Sequence, residues 1–329
     1  MRKFQRFALI VMLLLLTAAP ALAGRLTVYT SMRESLIGAL KEAFLKSQPD
    51  IEFDCYVAGA GKLMSKIASE RASGGVLADV LWHSEVPDFF LLKREGLLEP
   101  YLSPEARHVE SLVQDPEGYF TPVRNGTLAI AYNTDLVKEA PTTWQDLTDP
   151  KFKDSVGIAD PRLSGTAFGS IAALARALGW EYFEACRANG LRLEQGSSQI
   201  VSDTADGNLL ACIAVDYMAV DKIRNGDALG FVYPQEIIML PSPVAVMKGS
   251  PNAADARKFV DFLLSREGQT IIAASGTIPV RPDIPLPADT PLPDPREAVR
   301  RAIRLDFEEL LETREDIIGK CDELLHPSR

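Results

Sequence analysis

Residues 121–133 read TPVRNGTLAIAYN and residues 237–247 read IIMLPSPVAVM. Each is an extended-favouring run longer than an average strand. Each also interrupts a regular alternation of shorter strands and helices. A chain that leaves one α/β block near residue 124, builds a second, and returns near residue 242 forms two lobes joined by two extended crossings. The expected division is therefore residues 25–124 plus 242–329 for a discontinuous first lobe, and 125–241 for the second.

The flanking pattern supports the α/β class. Strand-like runs at 25–30, 51–57 and 78–82 are separated by helical stripes at 34–47 and 62–72, and a helix at 86–95 follows. In the first stripe Leu36, Ile37, Leu40, Ala43 and Phe44 recur at helical spacing and stop before Pro49. Strands alternating with helices of 10–15 residues indicate βαβ units and a mainly parallel sheet. Between the crossings the alternation resumes, with strands at 156–159, 209–215 and 231–233 and helices at 166–178, 181–188 and 218–225. After the second crossing come helices at 253–265 and 267–274, then a Pro-rich segment, 279–295. A final amphipathic region, helical from about Asp306, is expected to wrap back onto the first lobe. No repeat of solenoid type is present.

The N-terminus indicates export. Arg2, Lys3 and Arg6 precede an apolar run from Ala8 to Ala19, and Ala21-Leu22-Ala23 is a small-x-small cleavage site. These are the three parts of a secretory signal peptide, residues 1–23. The run is too short for the roughly 20 residues of a spanning helix. No Cys follows the expected cut after Ala23, which argues against lipid attachment. The remaining residues carry 32 basic and 45 acidic side chains, a formal charge of −13. That balance argues against nucleic acid or an anionic membrane surface as partner. The 47% hydrophobic content is ample for two cores. Cys55, Cys186, Cys212 and Cys321 match no zinc spacing. In an oxidising compartment Cys186 with Cys212 is the favoured disulfide, Cys55 with Cys321 the other candidate pair, and free buried thiols an equal alternative.

Four stretches carry a family resemblance: VYTSMRESLIGALKEAF, ADVLWHSEVPDFFLLKREGLLEPY, GTLAIAYNTDLV, and the T-x-W-x-D-L of residues 142–147 followed by DPKFKDSVGIADPRLSGTA. In this order they resemble the extracellular solute-binding proteins of ABC importers, in the branch with ferric-ion, thiamine, phosphonate and sugar-phosphate binders. The resemblance runs over essentially the whole exported chain. It implies a type II-like two-lobe clamp, a small-molecule ligand, delivery to an inner-membrane ABC permease, a periplasmic location, and no chemistry on the ligand. The protein is expected to act as a monomer without cofactor or metal.

The residues around the cleft then take roles. In open α/β sheets ligands sit beyond the carboxyl ends of strands. The run DPRLSGTA, residues 160–167, follows a strand and opens a helix: Ser164 can cap it, Gly165 allows close approach, and Thr166 adds a hydroxyl. With Ala167 in the first turn, the free N–H groups and the helix dipole make an anion site. The resemblance implies that this run seats a phosphate. On the first lobe Ser31 repeats the logic, and Arg33 reads either as a counter-charge or as a solvated helix-start residue. Trp82 reads equally as cleft wall or core, and Ser84 as a ligand donor. Arg124 and Asn125 open the first crossing, where an arginine can grip an anion or pair between lobes. Asp216 and Tyr217 end a strand at the cleft, while Tyr233 and Glu236 precede the second crossing.

Iron-binding relatives use two adjacent tyrosines near Asp216–Tyr217; here Tyr217 lies between Asp216 and Met218. The reading is therefore a receptor for a small anionic, phosphate- or phosphonate-bearing metabolite. The alternatives are a ferric-ion or thiamine binder of the same family, or a receptor that signals to a membrane sensor kinase. An enzyme is disfavoured, since no nucleophile elbow, metal cluster or acid/base pair stands out.

Overall fold

The computed structural model describes residues 24–325. The signal-peptide reading and its cleavage site lie outside these residues. Alternating apolar positions make β1 (Arg25–Thr30), which sits parallel between β2 (Glu52–Val57) and β3 (Val80–Trp82). Helices α1 (Glu34–Ser47), α2 (Ala60–Ala72) and α3 (Val86–Arg94) follow these strands. Leu36, Ile37, Leu40 and Phe44 form the buried stripe of α1. Phe44 meets Phe259 edge-on at 5.1 Å and Phe262 at 5.5 Å, so the first core closes around α8 (Ala253–Leu264).

The first crossing is β5 (Thr121–Asn133), after a short β4 (Leu98–Glu99). The second half contains β6 (Val156–Ala159), α4 (Gly165–Leu178), α5 (Glu181–Ala188), β7 (Arg192–Glu194), α6 (Ser197–Ala205), β8 (Ala211–Val215), α7 (Asp216–Arg224) and β9 (Leu229–Val232). Strand β6 is parallel to β7 and β8. The return is β10 (Ile238–Met247), which runs antiparallel to β5. Arg124 stands opposite Ser242 and Asn125 opposite Pro241, with a bulge between Ser242 and Pro243. The two crossings thus pair with each other, and a single sheet path, β2-β1-β3-β10-β5-β8-β6-β7, runs through both halves.

After β10 and α8 come α9 (Arg266–Ala274), β11 (Ile278–Pro279), α10 (Pro295–Arg301), α11 (Phe307–Glu312) and α12 (Arg314–Leu325). Three of these helices start on a side-chain cap, from Ser265, Asp294 and Asp306. Helix α11 returns to the first half as expected, where Arg94 pairs with Glu308 and Glu312. Helix α12 does not. It lies on α5 of the second half, with the Lys320 ammonium 4.8 Å from the Trp180 ring centroid and Arg162 3.4 Å from Asp322. The assignment of everything after residue 242 to the first lobe is corrected there.

The four cysteines are free thiols. Cys186 and Cys212 belong to different hydrophobic clusters. Ile213, the next residue on β8, shares the Cys186 cluster, so alternation turns Cys212 to the opposite face of the sheet. That geometry overturns the Cys186–Cys212 pairing. Cys55 is exposed on β2 whereas Cys321 is buried on α12, so the other pairing is unmade as well.

Candidate functional site

The carboxyl ends of β1, β3, β6 and β8 face one another across the paired crossings, and two helix N-termini converge on the second-half side. Ser164 caps α4 by accepting from the Ala167 N–H at 3.3 Å. Its hydroxyl lies 3.0 Å from that of Thr166 and 3.3 Å from that of Ser197, and Thr166 is 3.2 Å from Ser197. Ser197 opens α6, capped only by Gly196, which has no side chain. The N–H groups of Gly165, Thr166, Ser197 and Ser198 have no acceptor among the described residues. Three hydroxyls and two sets of first-turn donors therefore point at one spot, where the positive ends of both helix dipoles favour negative charge.

The Ala167 N–H serves the cap and its side chain is buried. Gly165 does allow close approach, but by protein. A Cβ on Gly165 would lie 1.7 Å from Glu85 Oε1. Glu85, from the loop before α3, reaches across from the first half.

The floor of the site is a buried polar network. Arg124, 3% exposed, donates to Ser242 Oγ at 3.0 Å, Thr277 Oγ1 at 3.1 Å and Ser84 Oγ at 3.3 Å. Asp216 Oδ2 accepts from the Thr127 N–H and hydroxyl, both at 3.0 Å, and from Thr277 Oγ1 at 2.7 Å. Its Oδ1 accepts from the Tyr217 N–H at 2.7 Å and lies 3.8 Å from Arg124. Burial pushes the Asp216 carboxyl above its ordinary range, against the pull of Arg124 and these donors. The expected hydroxyl-binding carboxylate is thus engaged within the fold, three donors going to Oδ2 and one to Oδ1. The Tyr233 hydroxyl, 2.7 Å from Thr127, extends the same network.

Tyr217 has the Arg33 and Arg124 guanidinium carbons over its ring, at 4.9 and 5.2 Å. Arg33 also pairs with Asp221 of α7 and donates to the Ser275 carbonyl, so it joins the two halves. Burial, with the Arg124 charge as a lesser cause, lowers its pKa. Arg224 makes a second cross-link, to Asp289 at 2.7 Å and the Ala274 carbonyl at 2.8 Å. The arrangement is closed. Ser31 donates its N–H to the Trp82 carbonyl at 3.1 Å, at the first-half rim.

Three expected residues are elsewhere. Trp82 is fully buried in the first core. Asn125 is turned away, bonded to the Ser111 hydroxyl and the Glu110 carbonyl. On an extended strand it faces opposite to its neighbour Arg124, which is the cause. Glu236 is solvent-exposed, and its carbonyl accepts from Trp144 Nε1 at 2.9 Å.

Residues 77–312 match the family described as bacterial extracellular solute-binding protein. The chain belongs to that family. Among its relatives is a putative 2-aminoethylphosphonate-binding periplasmic protein of Salmonella typhimurium, 25% identical over 69% of this chain and 68% of the relative. The major ferric iron-binding protein of Neisseria meningitidis is 26% identical over 83% of each chain. The solved structure of the periplasmic binding protein AfuA from Actinobacillus pleuropneumoniae, with fructose-6-phosphate bound, superposes with a TM-score of 0.79 at 27% identity. That match covers 93% of this chain and 99% of AfuA. The two-lobe fold and the branch read from the quoted stretches are those of these solute-binding proteins.

Ser197, Thr127, Ser242 and Thr277 were not singled out in the sequence. Gly196 followed by a run with Ile200, Val201 and Thr204 at helical spacing was the available signal for Ser197. Nothing in the sequence marks the other three.

Proposed function

We propose that this protein is the periplasmic receptor of an ABC importer and captures a small phosphate- or phosphonate-bearing metabolite between its lobes. The lobes divide at the paired residues Arg124–Ser242 and Asn125–Pro241, and the C-terminal helix α12 rides on the second. One observation carries the reading: Ser164, Thr166 and Ser197 converge at two helix N-termini with unused backbone donors. Such a seat binds an anion without a lysine or arginine, which suits a chain of net negative charge. The Salmonella relative and the fructose-6-phosphate held by AfuA support the same ligand class. The Arg33 and Arg124 guanidinium groups lie over the Tyr217 ring, each beside a carboxylate, Asp221 and Asp216. Ser31, Ser84 and Tyr217 complete the ring of ligand contacts in this reading.

Calorimetry tests it, with fructose 6-phosphate, 2-aminoethylphosphonate and inorganic phosphate as probes. Ser164→Ala with Thr166→Ala removes two hydrogen bonds to a charged group, at about 1.5–3 kcal/mol each. Affinity for the best probe should weaken by at least about tenfold, while the protein stays folded with stability lowered by only about 1 kcal/mol, the cost of a lost helix cap. Unchanged affinity would reduce the motif to a helix cap.

A further inference from the structure

The two C-terminal helices cross from one lobe to the other, and the joint between them meets the lobe boundary. On one side of the joint, α11 packs on α3 of the first lobe, with Phe307 and Leu310 buried. On the other side, α12 packs on α5 of the second, with Cys321 buried. At the joint, Arg314 Nη1 lies 2.8 Å from Glu85 Oε2, and its guanidinium carbon lies 4.8 Å from the centroid of the Phe168 ring of α4. The second Glu85 oxygen packs on Gly165, where any Cβ would have to displace the Glu85 side chain. Glu85 is 8% exposed, and the space left among Glu85, Gly165, Phe168, Leu240 and Leu310 is a cavity of about 20 Å³. Three segments distant in sequence therefore close on one carboxylate with almost no void.

We infer that the Glu85–Arg314 pair seated on Gly165 is a closure latch, and that the α11–α12 joint is a third connection between the lobes. The contact is made only when the lobes meet, because Glu85 belongs to the first lobe and Gly165 and Phe168 to the second. Closure gives the carboxylate the Arg314 guanidinium as a charge-assisted partner and seats it against Gly165. Opening separates Glu85 from Arg314 and from Gly165, while Arg314 stays over Phe168 on the second lobe. Arg314 acts through Glu85, so it is a positioning residue and not a ligand contact. The latch biases the resting equilibrium toward the closed state before any ligand arrives, and a ligand then shifts what remains.

Small-angle scattering of ligand-free protein reads this directly and requires no knowledge of the ligand. Its failure would therefore leave the phosphate reading untouched. The unaltered protein should fit the closed coordinates. Arg314→Ala should show a larger radius of gyration, with the closed-to-open ratio down about tenfold, the scale of one lost charge-assisted contact. Glu85→Gln should do the same, whereas Arg314→Lys should restore most of the closed fraction. Thermal melting of each variant checks that the fold is kept, and Glu85→Gln substitutes if Arg314→Ala does not fold. An open profile for the unaltered protein, or closed profiles for both Arg314→Ala and Glu85→Gln, would overturn the latch.

Discussion

Arg124 and Asp216 show how a residue's type can be right for a cleft and its job different from the expected one. Asp216 was expected to touch ligand and Arg124 either to grip an anion or to pair between lobes; both lie within the shared floor of the site, where Thr127, Thr277 and Ser242 bond to them. A buried charge needs such partners, since leaving either one unpaired costs several kcal/mol. Behind Glu85 sits a second buried group. Burial, with the Glu85 charge adding to it and Arg314 opposing it, raises the Asp88 carboxyl from 3.8 to about 7. Its neighbour His83, 3.7 Å away, is held neutral by burial, with its pKa lowered to about 3. Because the folded value of Asp88 is raised, its contribution to stability is full below about pH 4 and is lost as pH rises through about 7. Asp88→Asn should therefore match the unaltered protein near pH 4 and gain over it as pH rises. The gain should reach on the order of a few kcal/mol by pH 8. Denaturant titration across that range checks it, and a constant difference at all pH values would remove Asp88 from the account.

The proposed anion seat is built from α4 and α6, two helices whose N-termini share one set of hydroxyls. The first was legible because Ser-Gly-Thr follows a strand and precedes a regular apolar stripe. The second was not, because SSQIVSDTA is short and polar and its start is a glycine without a capping side chain. Its helicity comes from burying Ile200, Val201 and Thr204, and packing of this kind supplies most helical stability in proteins. Ser197→Ala tests whether α6 belongs to the seat. With fructose 6-phosphate as probe, affinity should fall about tenfold, the loss of one hydrogen bond to a charged group. Unchanged binding would confine the seat to α4. Position along an element also explains two misread side chains: alternation on β5 turns Asn125 away from the cleft, and alternation on β8 separates Cys212 from Cys186.

At the scale of the whole molecule, one hydrophobic cluster takes Leu81 and Phe89 from the first lobe, Phe168 and Ile171 from the second, and Phe307 and Leu310 from the C-terminal segment. The sheet is likewise continuous through both halves. Two lobes that share core and sheet should unfold together, so calorimetry should show one transition with equal calorimetric and van't Hoff enthalpies. Two resolved transitions would mean that the lobes fold independently. By itself the sequence determined the α/β class, the two crossings, the elements with strong periodicity and the family. Each of these is written in local spacing and in motif order along the chain. Only the tertiary structure decided which polar side chains face the cleft, that Ser197 joins Ser164 and Thr166, and that α12 crosses to the second lobe. Those outcomes depend on contacts between segments separated by tens to hundreds of residues. No local pattern encodes whether a buried carboxylate such as Asp216 meets a ligand or Thr127 and Thr277.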